Sequence, residues 1–438
     1  MGQSTQLTRR DFLWLASVSS AGILTGCATN PVTGNRQFML VSEAQEIQLD
    51  KEHSPHQFSS DFGRTQDAEL NHYLDQVGHD LAARSHRPDM PYSFQAVNAS
   101  YVNAYAFPGG SVAATRGILL ELENEAELAG LFGHEIGHVN ARHTGERMSK
   151  GLLASLLVTG AAIYAESQDS EWTPLISLGG NLAAGALLAH YSRDDEREAD
   201  ALGMEYMTRL GYDPEGMVGL MEVLVALSKH KPSALDMMFA THPMSEERLA
   251  SARKTAHSRS QSTVVSTLQK ERYMDHTARL RSIRDAIESL QGGEEFMGQQ
   301  RYSQAEGFFR DALRVAPNDY AALMLMSKCQ LALRDTREAE RYAEKAQAVY
   351  PEEAQAYQVS GIAKMGQNRF SAAYEEFDSY DQLLPGNPGI AFLKGYTLEL
   401  TGDQEGAARE YYRYLKNVSQ GEQAQFAYER LVNWGYLP

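Results

Sequence analysis

A short motif between positions 134 and 138 carries the residue types of a hydrolytic zinc site. It consists of His134-Glu135-Ile136-Gly137-His138, an H-E-x-x-H pattern. At about 100° per residue in a helix, the two histidines lie only about 40° apart, so both imidazoles can bind one zinc ion. Glu135 lies beside them, where a carboxylate can act as a general base. The motif therefore predicts one Zn²⁺ per chain, with His134 and His138 as ligands and Glu135 as the catalytic residue.

A catalytic zinc ion normally needs a third protein ligand. The positions of the candidate residues on helix faces reduce the number of possible ligands. His143 lies on the opposite face of a continuous helix from His134, so it is predicted to be structural. The better candidate is Glu196, which is four residues from Asp200 and shares a helix face with it, whereas Glu198 is predicted to point away. One of the two carboxylates can bind metal while the other orients a ligating histidine. A solvent-exposed acidic helix face is the alternative interpretation.

His242 is a further candidate, because Pro243 fixes the chain after it into a turn and places its imidazole on a short loop. Its neutral nitrogen can act as a regulatory fourth ligand at the position of the catalytic water, or as a donor to the transition state. A surface His-Pro turn is the alternative interpretation.

The elements that position these residues are predicted from apolar spacing and from turn-forming residues. A long helix is predicted from Asn124, a plausible cap, to Gly145, a plausible stop. Short segments rich in Val, Tyr, Phe and Ala over 92–115 predict a small β-sheet. Residues 42–45 predict a capping box ahead of an earlier helix. The zinc helix and the sheet together form the predicted frame of the site.

The C-terminal third repeats with the period typical of tetratricopeptide repeats. Pro317, Pro351 and Pro385 are each 34 residues apart. The spacing predicts four repeats and a cap helix over the following residues: 286–319, 320–353, 354–387, 388–421 and 422–438. Such a stack has its own core and a concave face for a peptide or a partner protein.

A basic segment separates the repeats from the rest of the chain. Residues 248–284 contain nine Arg or Lys and two acidic residues, whereas the whole chain has a formal charge of −17. Residues 256–285 are therefore predicted to be a basic helical linker that follows a peptidase domain over 27–255. The segment either docks on the acidic peptidase domain or contacts anionic lipid. The overall negative charge excludes nucleic acid as an expected partner.

The first 26 residues have the features of an export signal. An arginine pair at 9–10 precedes an apolar stretch over 12–24. This order resembles a twin-arginine signal, with a general secretory signal as the alternative. Residues 24–27 are Leu-Thr-Gly-Cys and resemble a bacterial lipobox, in which Cys27 is acylated. We therefore predict that 1–26 is a signal peptide and that lipidated Cys27 anchors the protein to the outer membrane, in the periplasm.

Two uncharged runs, 151–165 and 172–192, lie between the zinc motif and Glu196. The first run is too short to span a bilayer, and the second contains Pro174 and further polar and small residues. A helical hairpin that covers the active site is predicted, and contact with lipid is the alternative.

Taken together, these motifs resemble the gluzincin peptidases of the HtpX and CAAX-prenyl-protease type. The resemblance covers roughly residues 28–255. It rests on the following residues: His134 to His138, Arg142-His143, Asn103 to Gly110, Glu196, Asp200, Thr241 to Pro243 and Arg248. It implies that Glu196 is the third zinc ligand and that Asp200 supports a ligating residue. The expected fold class is α+β and mainly helical, a gluzincin zinc-metallopeptidase domain with a small β-sheet followed by an all-α tetratricopeptide solenoid.

The resemblance and the repeats together imply a function. The expectation is a zinc-dependent endopeptidase of the bacterial periplasm or outer membrane, which degrades misfolded or stalled outer-membrane proteins and assists their assembly. Its substrate is expected to add alongside an exposed strand near Ala104. Expected partners are unfolded outer-membrane proteins, the outer-membrane assembly machinery through the repeats, and the membrane through the lipid anchor. The alternative is chiefly a chaperone or assembly adaptor that works through its repeats, with a latched and rarely active zinc site.

Overall fold

The structure is a computed structural model. It describes the following residues: 27–157, 191–230, 235–260 and 267–438. The predicted export signal, the side chain of Cys27 and most of the predicted hairpin at 151–192 lie outside the described residues. Within the described ranges, no helix has both the length and the apolar character required to cross a membrane.

The N-terminal region is mainly helical and contains two small sheets. Its strands are β1 Cys27–Thr29, β2 Arg36–Phe38, β3 Ser93–Val97, β4 Ala104–Ala106 and β5 Ser111–Thr115. Its helices are α1 Glu43–Ser60, α2 Ala68–Ala82, α3 Arg116–Glu121, α4 Glu125–Ala141, α5 His143–Leu157, α6 Arg193–Arg209, α7 Glu215–His230, α8 Asp236–Thr241 and α9 Glu246–Ser260. The predicted capping box of α1 is confirmed, because Ser42 and Gln45 make both of its hydrogen bonds.

The C-terminal region consists of helices that pack in consecutive pairs. They are α10 Lys270–His276, α11 Ala278–Ser282, α12 Arg284–Gly298, α13 Tyr302–Val315, α14 Tyr320–Ala332, α15 Thr336–Val349, α16 Gln355–Gly366, α17 Phe370–Leu383, α18 Pro388–Thr401, α19 Gln404–Leu415 and α20 Glu422–Asn433. A mainly helical unit with a three-stranded sheet, followed by a helical repeat stack, confirms the predicted fold class.

The 34-residue period corresponds to close contacts between paired helices. Gly361 and Gly395 lie against the rings of Phe377 and Tyr411, and a Cβ atom at either glycine would lie 2.5 or 2.7 Å from ring carbons. Because each pair contacts mainly its neighbours, local spacing along the sequence is enough to predict this part of the fold. Cys329 is fully buried within α14.

The three-stranded sheet has the order β3-β5-β4, with β3 parallel and β4 antiparallel to β5. Ala104 and Ala106 of the edge strand β4 face the main core, which α4 shares. Tyr105 packs against Phe58 of α1 on the other face, with ring centroids 6.3 Å apart. The expectation of an exposed strand near Ala104 is wrong, because β4 is buried on both faces and its residues are at most 3% exposed.

Helix α4, which carries the zinc motif, is buried along its whole length. Asn124 is its N-cap, as predicted, but the helix ends at Ala141 rather than at Gly145. Arg142 adopts a left-handed conformation with φ 61°, which ends the helix. This conformation is uncommon for a residue with a side chain. It is held here because the guanidinium donates to Glu46, with Nε 3.0 Å from Oε1, and to the carbonyl of Val41.

The basic segment docks on the acidic N-terminal region. Lys270 Nζ lies 2.9 Å from Glu123, and Arg272 lies 3.0 Å from Glu125, the first residue of α4. These ion pairs support the intramolecular interpretation of its charge, because they join the segment to the start of the helix that carries the zinc motif.

The repeats contact the N-terminal region through buried polar groups. Arg116 pairs with Asp319, the N-cap of α14, and their side chains are 3% and 8% exposed. At the end of α1, Ser59 donates to Glu353 of the repeats. Phe62 belongs to the hydrophobic core of the repeats rather than to that of the N-terminal region. The two regions therefore share a buried interface that is both polar and apolar.

Removal of Asp319 tests the strength of this interface. We expect Asp319→Ala to lower the free energy of unfolding by about 3–5 kcal/mol, because it leaves the buried Arg116 guanidinium without its partner. Asp319→Asn should recover only the part of this loss that comes from capping α14, about 1 kcal/mol, because asparagine can also cap a helix. As a control, Glu306→Ala removes the ion pair of Arg310, which is 67% exposed, and should cost less than about 0.5 kcal/mol. Urea unfolding of the full chain measures all three, and equal losses for Asp319→Ala and Glu306→Ala would contradict a strong interface.

Candidate metal centre

Helices α4 and α6 approach each other closely because their contact positions are small residues. A Cβ atom at Gly203 would lie 2.7 Å from the backbone nitrogen of His134, and one at Gly137 would lie 3.0 Å from Ala199. This approach brings Glu196, near the start of α6, to the face of α4 that carries the histidines. Glycine at these positions therefore sets the distance between the two halves of the site.

Four side chains converge between these helices and the loop after α8. One ligand atom of each of His134, His138, Glu196 and His242 lies within 4.8 Å of the others, and all four residues are buried. His138 Nε2 lies 3.0 Å from His134 Nε2 and 3.3 Å from Glu196 Oε1. His242 Nδ1 lies 3.0 Å from Glu196 Oε1. A surface His-Pro turn is therefore wrong for His242, and an exposed acidic face is wrong for Glu196.

Asp200 supports this cluster from one side. Its Oδ1 atom lies 2.9 Å from Nδ1 of His134, the nitrogen that faces away from the cluster. Arg248 ties these groups together, because its guanidinium lies 2.7 Å from Asp200 and 2.6 Å from Glu196 and donates to the carbonyl of Pro243. No local pattern predicts the contacts with the two carboxylates, since Asp200 is 48 positions away from Arg248 and Glu196 is farther still.

The structure places His143 beside His138. The sequence-based prediction had placed this residue on the helix face opposite His134. Its Nδ1 atom is 2.9 Å from Nδ1 of His138. The prediction failed because it continued the helix through Arg142, where the chain turns. Glu198 was predicted to point away from the face of Glu196, and it lies outside the ligand cluster, with its Oε2 atom 3.4 Å from Nε2 of His143. No sequence pattern indicates that Tyr191 belongs to the site, yet its ring stacks on that of His138 with centroids 3.8 Å apart.

Glu135 is the candidate general base, and its surroundings differ from those of Glu196. Neither of its buried carboxylate oxygens accepts a hydrogen bond from a described residue. Burial raises the pKa of Glu135, because the carboxylate loses its hydration. Burial also lowers the pKa of His138 well below its usual value, which keeps the imidazole in the neutral form that binds metal.

The donor set fits zinc. Two imidazole nitrogens and one carboxylate oxygen are the protein ligands of one class of catalytic zinc site, which leaves a position for water. The unsatisfied oxygens of Glu135 lie next to this set, where a buried carboxylate needs a hydrogen-bond donor. His242 offers a fourth nitrogen in place of that water.

Comparison with known proteins identifies a peptidase family and a repeat family in this chain. Residues 68–256 match the model of Peptidase family M48, and residues 296–361 match a tetratricopeptide repeat model. The chain is 31% identical over 199 residues to the beta-barrel assembly-enhancing protease of Yersinia pestis, which covers 43% of this chain and 39% of that protein. It is 28% identical over 240 residues to the protein of the same name from Escherichia coli strain K12, covering 52% and 47%.

The chain thus spans less than half the length of these two relatives. Among solved structures, a thermophilic tetratricopeptide repeat protein of Thermus thermophilus matches with a TM-score of 0.30 and 20% identity, covering 34% of this chain and 83% of that one.

Proposed function

Because the chain carries a Peptidase family M48 domain followed by tetratricopeptide repeats, we propose that it is a zinc-dependent endopeptidase of the bacterial periplasm or outer membrane. In this proposal it degrades misfolded or stalled outer-membrane proteins and assists their assembly. The observation that carries the peptidase activity is the buried cluster of His134, His138 and Glu196, with the unsatisfied carboxylate of Glu135 beside it.

Each residue of the cluster has a distinct task in peptide hydrolysis. His134, His138 and Glu196 would hold a zinc ion, which would supply a Lewis acid for activating water and polarising the scissile carbonyl. Glu135 takes the proton of the attacking water at its free carboxylate oxygens and then delivers it to the leaving amine. Asp200 fixes the orientation of His134 through Nδ1.

The proposed client class is supported by the name of the relatives, which refers to β-barrel assembly. In this proposal 1–26 is a signal peptide, Cys27 carries the lipid anchor, 27–255 is the peptidase domain and 256–285 is the linker. The four repeats over 286–421 and the cap over 422–438 bind the assembly machinery. The anchor places the peptidase beside its clients at the membrane.

A second function, that of a chaperone or assembly adaptor, is favoured by one observation. His242 Nδ1 lies 3.0 Å from Oε1 of Glu196, inside the ligand cluster, as expected if its imidazole blocks the site at rest. A strain that carries only the Glu135→Gln form distinguishes the two functions. The peptidase function predicts that unfolded outer-membrane proteins accumulate and co-purify with this form, as identified by mass spectrometry. Normal outer-membrane assembly in that strain would support the adaptor function instead.

The position of His242 predicts the direction in which its removal changes activity. Its Nδ1 atom lies 3.3 Å from His134 Nε2, within the ligand cluster, so we expect it to occupy the position of the catalytic water in a resting state. Proteolysis by His242→Ala should therefore rise severalfold at equal zinc content, measured on an unfolded polypeptide. Replacement of the exposed His72 is the control and should change nothing. A loss of activity would instead identify His242 as a donor to the transition state.

A further inference from the structure

The two histidines of the zinc motif have different supports on their outer nitrogens. Both direct Nε2 into the cluster, with these atoms 3.0 Å apart, so Nδ1 of each ring faces outward. At His134 the outer nitrogen lies 2.9 Å from a carboxylate oxygen of Asp200. At His138 it lies 2.9 Å from Nδ1 of another imidazole, that of His143. A ligating histidine usually has a carboxylate, a backbone carbonyl or water at this position.

Metal binding at His138 decides where the protons of the two imidazoles lie. Only one of two nitrogens at hydrogen-bond distance can carry the hydrogen between them. When Nε2 of His138 binds metal, its proton is on Nδ1, so Nδ1 of His143 must accept. His143 then carries its own proton on Nε2. That atom lies 3.4 Å from Oε2 of Glu198 and 3.8 Å from Oδ1 of Asp195.

The backbone places His143 at this position. Arg142 ends α4 in a left-handed conformation, and His143 starts α5 immediately afterwards, so its ring returns toward the last turn of α4. Arg87 reinforces the turn by donating to the carbonyl of Val139, and it also pairs with Glu46, the partner of Arg142. His143 is only 4% exposed, which fixes its ring within this corner.

We propose that His143 is a positioning residue of the metal centre. It accepts the Nδ1 proton of His138 and thereby fixes both the ring orientation and the metal-binding tautomer of that ligand. The carboxylate of Glu198 orients His143 in turn. The inference rests on the proposed function only in that it takes His134, His138 and Glu196 as zinc ligands.

Two substitutions at one position separate this role from simple packing. His143→Asn keeps an acceptor oxygen near the place of Nδ1 but loses the aromatic ring. His143→Phe keeps the ring and its volume but has no acceptor. We expect His143→Phe to lower zinc affinity about ten- to hundredfold, the range typical of groups that support a ligand, and His143→Asn to recover most of it. The measurement is competition for Zn²⁺ between the full-length protein and a chromophoric chelator.

A role in packing alone predicts the reverse order, with zinc affinity kept in His143→Phe and lost in His143→Asn. That order, or equal affinities in both variants, would overturn the proposal. Glu198→Gln guards against variants that fail to fold, because the Glu198 side chain is 33% exposed. Glu198→Gln should lower zinc affinity severalfold. Unchanged affinity would contradict the proposal that Glu198 orients His143.

Histidine tautomers give a second measurement that does not depend on affinity. In the zinc-loaded protein, long-range ¹H–¹⁵N correlation spectra should place the proton of His138 on Nδ1 and that of His143 on Nε2. A His143 proton on Nδ1 would overturn the proposal. If the zinc-loaded wild type and the zinc-loaded His242→Ala variant both cleave no polypeptide, the proposed function is refuted and this inference is left intact.

Discussion

Glu135→Gln is expected to abolish proteolysis while one zinc ion per chain is retained. The substitution removes the proton acceptor but none of the three proposed ligands, and general-base catalysis is worth roughly 10²- to 10⁴-fold. We therefore expect kcat/KM on an unfolded polypeptide to fall by at least about a hundredfold. Metal analysis of the purified variant and its cleavage rate are the two measurements.

A matched control for this result is Glu123→Gln. Glu123 is a carboxylate with a side chain 62% exposed that pairs with Lys270 outside the cluster, so its loss should leave both zinc content and cleavage unchanged. Substantial cleavage by Glu135→Gln would show that another group takes the proton. Loss of zinc from Glu135→Gln would show instead that the carboxylate is itself a ligand.

Glu196→Ala is expected to remove zinc from the protein. The carboxylate is fully buried and lies 3.3 Å from Nε2 of His138, so its loss removes the one oxygen ligand of the cluster and leaves only His242 among the described residues of the cluster as a substitute. The loss of zinc affinity should exceed the ten- to hundredfold expected for Asp200→Asn, which leaves all ligands in place. Equilibrium dialysis against buffered Zn²⁺ measures both variants. Full zinc content in Glu196→Ala would refute the ligand assignment.

The variant Glu196→Gln distinguishes a loss of zinc caused by misfolding from a loss caused by the missing ligand. Arg248 lies 2.6 Å from Glu196, and the alanine variant leaves this buried guanidinium without one of its two carboxylates. The amide oxygen of glutamine can still accept from Arg248 but is a weaker zinc ligand than a carboxylate. We therefore expect Glu196→Gln to fold like the wild type and still bind zinc poorly.

The metal centre was largely predictable where it depends on local spacing. His134 and His138 lie on one turn of one helix, and Glu196 and Asp200 lie on one turn of another. Helical geometry therefore sets the relative positions of the two residues within each pair. The repeats were predictable for the same reason, since each helix pair packs mainly on its neighbours.

The remaining features depend on contacts that no local pattern encodes. Arg142 ends the helix of the zinc motif in a left-handed conformation, which is held by a contact with Glu46, 96 residues away in the sequence. The location of His143 follows from that turn, which explains why its prediction failed. The burial of β4 likewise depends on Phe58 of α1, which packs on Tyr105 from the far side of the sheet.

The shared interface between the repeats and the N-terminal region limits how these two parts can be exchanged between proteins in the laboratory. A chain that ended near residue 285 would expose Phe62 and leave Arg116 without its carboxylate partner. A foreign repeat stack would have to supply an acid at the position of Asp319 and an acceptor for Ser59. A chimera therefore requires the interface residues to be transplanted as a set.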